Sequence, residues 1–157
     1  MKKYLFLIVM AVLAACQPYP ANNQKADDIK LAFNTWIGDV NHKDMQKLLS
    51  LYDVHADLHP TLSEKLRSSP GEIEDYFQHF LALQELHAEV GNSHIQVFDN
   101  VAINDGFYTF SFKKNGKSQI LKARYSFTYL KEGDGWKIID HHSSIVPSAP
   151  SLNDSHR

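Results

Sequence analysis

Apolar positions recur at three- and four-residue spacing in the first half of the chain and at every second residue in the second half. Ile29, Phe33, Trp36, Ile37 and Val40 mark one face of a first helix, whose last turn Gly38 weakens. Met45, Leu48, Leu49 and Tyr52 mark a second, shorter helix. Residues 55–61 read as extended, because Pro60 disfavours helix at His59 and cannot donate a backbone hydrogen bond. Ser69-Pro70-Gly71-Glu72 then spells a capping box with proline at the first helical position. It precedes a stripe of Ile73, Tyr76, Phe77, Phe80 and Leu81, with Leu83 at its end.

Beyond Glu85 the period becomes two. Strands are predicted at residues 86–90, 94–98, 101–103, 107–113, 119–130 and 136–145. Turn chemistry separates them at Asp99-Asn100, Asn104-Asp105-Gly106, Asn115-Gly116 and Gly133-Asp134-Gly135. Helices first and strands afterwards imply an α+β domain. About three N-terminal helices pack on one face of a curved, mainly antiparallel sheet and leave a cone-shaped pocket.

The last hairpin allows a finer reading. With residues 132–135 as its loop, Tyr125, Phe127 and Tyr129 share a face with Trp136, Ile138, Asp140, His142 and Ser144. Aromatic cross-strand pairs are typical of a packed face, so His142 and Ser144 are expected to project inward. Arg124, Ser126 and Thr128 then lie outward with His141 and Ser143. A one-residue bulge would exchange the two sets, which keeps His141 and Ser143 as reserves.

The ends of the chain change the compartment rather than the fold. Lys2 and Lys3, an apolar run to Leu13 and the sequence Leu13-Ala14-Ala15-Cys16 read as a bacterial export signal too short to span a membrane. The four residues ending at Cys16 resemble a lipoprotein lipobox. That resemblance implies a signal peptide at 1–15 and a lipidated Cys16 that anchors the protein in the bacterial cell envelope, facing the periplasm. Residues 16–24 read as a tether, 25–147 as one domain and 148–157 as a disordered tail. Cys16 is the only cysteine, so no intramolecular disulfide can form. Sixteen basic against 18 acidic residues argue against a nucleic-acid surface or a polybasic membrane patch.

The candidate chemistry lies in His141-His142-Ser143-Ser144-Ile145-Val146-Pro147, where polar groups stand in a strand that otherwise reads as buried. The order of elements, and the Gly135-Trp136-Lys137-Ile138 strand leading into this cluster, resemble the nuclear-transport-factor-2-like superfamily. Within it they resemble the group of the calcium/calmodulin-dependent protein kinase II association domain. Residues 141–147 match the His-His-Ser-Ser-x-x-Pro signature of iota-class carbonic anhydrases. Pro60-Thr61-Leu62-Ser63, Arg67, Asp75-Tyr76-Phe77 and Arg124-Tyr125-Ser126-Phe127 look like further landmarks of that group. The resemblance implies reversible hydration of carbon dioxide to bicarbonate, with Thr61, Tyr76, His142 and Ser144 around the substrate. His142 is the candidate base or proton relay. His141, Ser143, Asp140, Arg124 and Tyr125 are secondary candidates. A homodimer is expected, because relatives pair through the outer sheet face.

Each assignment has a structural competitor. Tyr76 lies on a helical stripe and could be a core aromatic, Thr61 could cap a turn, Arg124 could pair with a carboxylate, and Asp140 could simply partner a histidine. Adjacent histidines on a strand point to opposite faces, so His141 and His142 do not readily share one ion. His55 and His59 are four apart but in a segment read as extended. The pattern favours a metal-free site, with zinc or manganese left open because some bacterial relatives are regarded as metal-dependent. Two other functions compete. One is an isomerase- or cyclase-like enzyme with Asp140 as base in a larger pocket, and the other is a non-catalytic oligomerisation or ligand-binding module.

Overall fold

The computed structural model describes residues 20–147; the expected signal peptide, the lipidation site at Cys16 and the tail at 148–157 lie outside the described residues. The first helix, α1, spans Pro20–His42, so residues 20–24 open a helix where a tether is expected. Its predicted stripe is buried, with Ile29, Phe33, Trp36, Ile37 and Val40 all in the core. Lys43 takes a left-handed conformation (φ 56°), and Asp44 then caps α2 (Met45–Ser50) by accepting from the Lys47 N–H at 3.2 Å.

Tyr52 belongs to strand β1 (Tyr52–His59) rather than to α2. The last strand captures the chain at this point: the Ile138 N–H donates to the Leu51 carbonyl at 2.8 Å, and Tyr52 pairs with Ile138. Helix α3 spans Pro70–Leu81, starting at the expected proline, but the expected capping box is replaced by a different arrangement around Glu72. Glu72 accepts from the Ser68 N–H at 3.1 Å and from the Ser69 hydroxyl at 3.3 Å, which leaves that hydroxyl turned away from the helix N–H groups.

Four strands complete the sheet: β2 (Gln84–Phe98), β3 (Val101–Lys114), β4 (Lys117–Glu132) and β5 (Gly135–Ile145). Their order is β1-β5-β4-β3-β2, with β1 parallel to β5 and every other pair antiparallel. The turns at Asp99-Asn100, Asn115-Gly116 and Gly133-Asp134 lie where the sequence places them.

Two predicted breaks do not occur. The register of β2 shifts between Val90 and Ser93, and the strand continues through a bulge. β3 runs straight through Asn104-Asp105-Gly106, because this triplet faces that bulge. A Cβ on Gly106 would run into the Asn92 carbonyl, and buried Asn104 accepts from the Ser93 hydroxyl at 2.7 Å. The triplet is a paired polar position in a strand, not a turn.

The helices cover one face of the sheet, and the core between them is mostly aromatic. Phe33, Trp36, Phe77, Tyr108, Tyr125 and Phe127 are all buried there. Phe33 and Trp36 each lie within 5.4 Å of Phe127, ring centre to ring centre. Among the described residues, no helix is long and apolar enough to cross a membrane.

Candidate functional site

One residue decides which polar groups enter this core. Tyr129 pairs with Ile138 but Thr128 pairs with Asp140, so Ile139 is a bulge and the alternation of β5 reverses after it. His141 (3 % exposed) and Ser143 (7 % exposed) therefore point inward, while His142 is exposed and Ser144 half-buried on the outer face. The orientation expected of His142 and Ser144 is thus the reverse of the one adopted. The reason is electrostatic: an unbroken register would carry Asp140 inward with them and bury a carboxylate among aromatic rings. With the bulge, Asp140 stays half-buried outside. Its carboxyl pKa is still raised by that partial burial, against the lowering influence of His59.

The inward imidazole is held on all sides. Its ring stacks on Phe127 at 3.8 Å and meets Trp36 edge-on at 5.4 Å. Nδ1 lies 2.9 Å from the Tyr52 hydroxyl, which accepts from the Trp36 indole N–H at 3.0 Å. Nε2 lies 3.4 Å from the Tyr108 hydroxyl, which donates to the Ser143 hydroxyl at 2.5 Å. Ser143 in turn contacts the hydroxyl of Thr61. Burial, with a smaller contribution from His142, pulls the His141 pKa down to about 3, so the ring is neutral at ordinary pH. Burial pushes the hydroxyls of Tyr52, Tyr76 and Tyr108 upward, so all three remain protonated donors.

These groups converge on a small cavity between the sheet and α3. Its apolar wall is Trp36, Leu58, Phe77, Phe80 and Phe110, and its polar lining is Thr61, Tyr76, Tyr108, His141 and Ser143. The space open to the centre of a water-sized sphere is about 10 Å³, on the order of one water. Thr61 and Ser143 also line an outer cleft of about 360 Å³ that carries His59, Lys65 and His142. Tyr76 divides the cavity from a second cleft of about 350 Å³, where Arg67, His79 and Lys114 stand.

The structure thus joins two predicted residues, Thr61 and Tyr76, to the reserve pair His141 and Ser143. His142 lies outside, stacked on His59 at 5.7 Å. Arg124 donates to Ser144 at 3.0 Å and lines, with His142, a shallow concavity of about 630 Å³ on the outer face. This concavity is larger than the inner cavity but open to solvent, and no buried imidazole reaches it. Tyr125 is buried on the inner face, its hydroxyl 3.5 Å from Asn104. Tyr52, Tyr108 and Trp36 are the members that sequence reasoning missed. The Tyr108-Phe110-Phe112 alternation on β3 was the available signal for one of them, whereas Tyr52 was hidden by its place at a helix end. Among the described residues, no three His, Cys, Asp or Glu side chains are placed to hold a metal ion.

A five-stranded curved sheet under three helices is a nuclear-transport-factor-2-like architecture. A protein of that superfamily from Salmonella enterica superposes with a TM-score of 0.73 at 18% identity, over 84% of this chain and 97% of its own. Residues 24–147 match the calcium/calmodulin dependent protein kinase II association domain family, and the chain belongs to it. A Xanthomonas campestris structure described as a candidate domain of that family is 34% identical, with a TM-score of 0.71 over 77% of this chain and 87% of its own. A candidate scytalone dehydratase from Novosphingobium aromaticivorans shares the fold at 12% identity, with a TM-score of 0.72 over 80% of this chain and 86% of its own. No curated protein matches the chain.

Proposed function

We propose that this domain catalyses the reversible hydration of carbon dioxide to bicarbonate, in a metal-free pocket lined by Thr61, Tyr76, Tyr108, His141 and Ser143. The observation that carries the reading is the cavity itself. Five polar groups meet an aromatic wall around a space of about 10 Å³, which has no room for a multi-ring ligand and leaves only the smallest polar substrates as candidates. That size speaks against the isomerase- or cyclase-like alternative, whatever the Novosphingobium relative acts on. The His141–Pro147 signature adds the specific chemistry.

Carbon dioxide is apolar and enters an aromatic cavity at little cost, whereas bicarbonate needs donors. In the forward reaction a water oxygen at the Thr61–Ser143 end attacks the carbon, one carbon–oxygen π pair moves onto oxygen, and the water loses a proton. The hydroxyls of Thr61, Ser143 and Tyr76 stabilise the oxygen that gains charge. The proton leaves through the outer cleft, where His142 and His59 form an exposed imidazole pair that can take it up and pass it to solvent. His142 thus acts in this reading as a relay at the mouth rather than as a base in the cavity.

The reading includes an envelope location, with the domain lipid-anchored through Cys16 and facing the periplasm, and a homodimer formed through the outer sheet face. Phe107 and Ile120, both large and exposed, support that face as the contact. A non-catalytic binding module is the second reading. It is favoured by one observation, that both nitrogens of His141 face protein hydroxyls. A stopped-flow carbon dioxide hydration assay with and without chelator decides between them. The proposal expects hydration well above buffer and insensitive to chelation. A rate equal to buffer rejects it, and a rate abolished by chelation rejects the metal-free site.

A further inference from the structure

The polar network is a chain with a closed end and an open end, and counting its protons gives it a direction. Trp36, Tyr52, His141, Tyr108, Ser143 and Thr61 form six links joined by five contacts. Each of the six carries one polar proton when uncharged. Five contacts consume five protons, so one is left over, and the His141 tautomer decides where.

If Nδ1 carried the proton, it would donate to the Tyr52 oxygen, which already accepts from the donor-only Trp36 indole. The hydroxyl proton of Tyr52 would then be stranded in the core, where the residue is only 8 % exposed. If Nε2 carries it, Tyr52 donates to Nδ1, Nε2 donates to Tyr108, and Tyr108 donates to Ser143. The spare proton then falls to the Ser143–Thr61 pair, whichever of the two donates to the other. That end lines both the cavity and the outer cleft, whereas Trp36 at the other end lines the cavity wall alone and its one proton is already given to Tyr52. Stranding a buried hydroxyl disfavours the first arrangement by about tenfold or more.

We infer that Trp36 and Tyr52 lock His141 in its Nε2–H form, so that the site presents a hydroxyl proton to its ligand and selects small oxygen acceptors such as bicarbonate. This deepens the proposed function and rests on it for the identity of the ligand, though not for the direction of the network. Tyr52 is a positioning residue acting through His141, and Tyr108 passes the polarity on to Ser143. His141 is a donor in the resting site and not the base that takes the proton of water. The low pKa of the ring agrees, since a nitrogen that binds protons so weakly is a poor acceptor.

The test is the tautomer. In protein labelled with 15N-histidine, long-range 1H–15N correlation distinguishes Nε2–H from Nδ1–H, and the His141 signal is assigned by its loss in His141→Phe. The expected result is a neutral Nε2–H ring at pH 7 with Nδ1 accepting a hydrogen bond. Tyr52→Phe is expected to produce a mixture of tautomers and to weaken bicarbonate binding, followed by 13C line broadening, by about tenfold. Tyr108→Phe is expected to leave the tautomer unchanged. An Nδ1–H ring in the wild type, or an unaltered tautomer in Tyr52→Phe, overturns the inference. Should Tyr52→Phe not fold, the wild-type spectrum alone decides. A pure Nε2–H ring in a protein that binds no bicarbonate upholds the polarity and rejects the carbon dioxide reading.

Discussion

The two faces of β5 carry the same residue types to opposite ends. His141 and Ser143 on the inner face are buried, held by named partners and joined to a cavity, whereas their neighbours His142 and Ser144 on the outer face are open to solvent. A histidine indoors loses its charge: burial pulls His141 to about 3 and converts it from a titrating group into a fixed donor and acceptor. The histidine outdoors is open to solvent, and what it can contribute is contact with water. The surroundings of each side chain on this strand are set by the side of the sheet it occupies, and one bulge residue chooses the side.

Deleting Ile139 attacks this comparison hardest. Without the bulge, Asp140, His142 and Ser144 would turn inward, and a loss of about 4 kcal/mol or more is expected in chemical denaturation, enough to unfold a domain of this size. A deletion variant within about 1 kcal/mol of wild type would show that the bulge does not set the faces. Substituting the two histidines separately is the next sharpest test. His141→Phe leaves the Tyr52 and Tyr108 hydroxyls without a nitrogen partner and is expected to cost about 2–4 kcal/mol, whereas His142→Phe should stay within about 0.5 kcal/mol.

The pH dependence of stability follows from the same burial. The folded pKa of His141 lies below its unfolded value, so its contribution is fully present above pH 6.5 and is lost as pH falls toward about 3. Between pH 7 and pH 4 this group alone should remove about 3 kcal/mol. Denaturation curves of His141→Phe should be flatter over that interval than those of wild type, and parallel curves would place the imidazole in a more solvated setting.

Asp140 gives the smallest effect, with the opposite sign. Its folded pKa is raised, so the charged form is penalised at neutral pH and the penalty fades as pH falls through that raised value. Asp140→Asn should therefore stabilise slightly, by about 0.5 kcal/mol or less at pH 7, and the gain should vanish in acid. A loss of stability at pH 7 would mean that the carboxylate is held by partners rather than penalised.

Most of the architecture was legible from periodicity. The stripe from Ile29 to Val40, the proline-started helix at residue 70 and the alternation of the last hairpin each placed an element correctly. Local polarity misled where a tertiary contact had absorbed it. Asn104-Asp105-Gly106 reads as a turn because nothing nearby in the sequence shows that Asn104 accepts from the Ser93 hydroxyl or that Gly106 lies against the Asn92 carbonyl. The site was half legible. Thr61 and Tyr76 were found through motif resemblance, and His141 and Ser143 were named only as reserves. Strict alternation could not reveal the bulge, although the cost of burying Asp140 was a usable hint. Tyr52 and Trp36 escaped because a hydrogen bond between residues 16 positions apart leaves no pattern in the chain.

The central claim is that the inner pair, and not the outer pair, serves the reaction. It is tested most directly by stopped-flow carbon dioxide hydration with Ser143→Ala and Ser144→Ala compared side by side, both checked for wild-type folding. Ser143→Ala is expected to lose about 100-fold, the scale of removing an oxyanion donor, and Ser144→Ala less than about twofold. Equal losses, a larger loss at Ser144, or a wild-type protein no faster than buffer would contradict it.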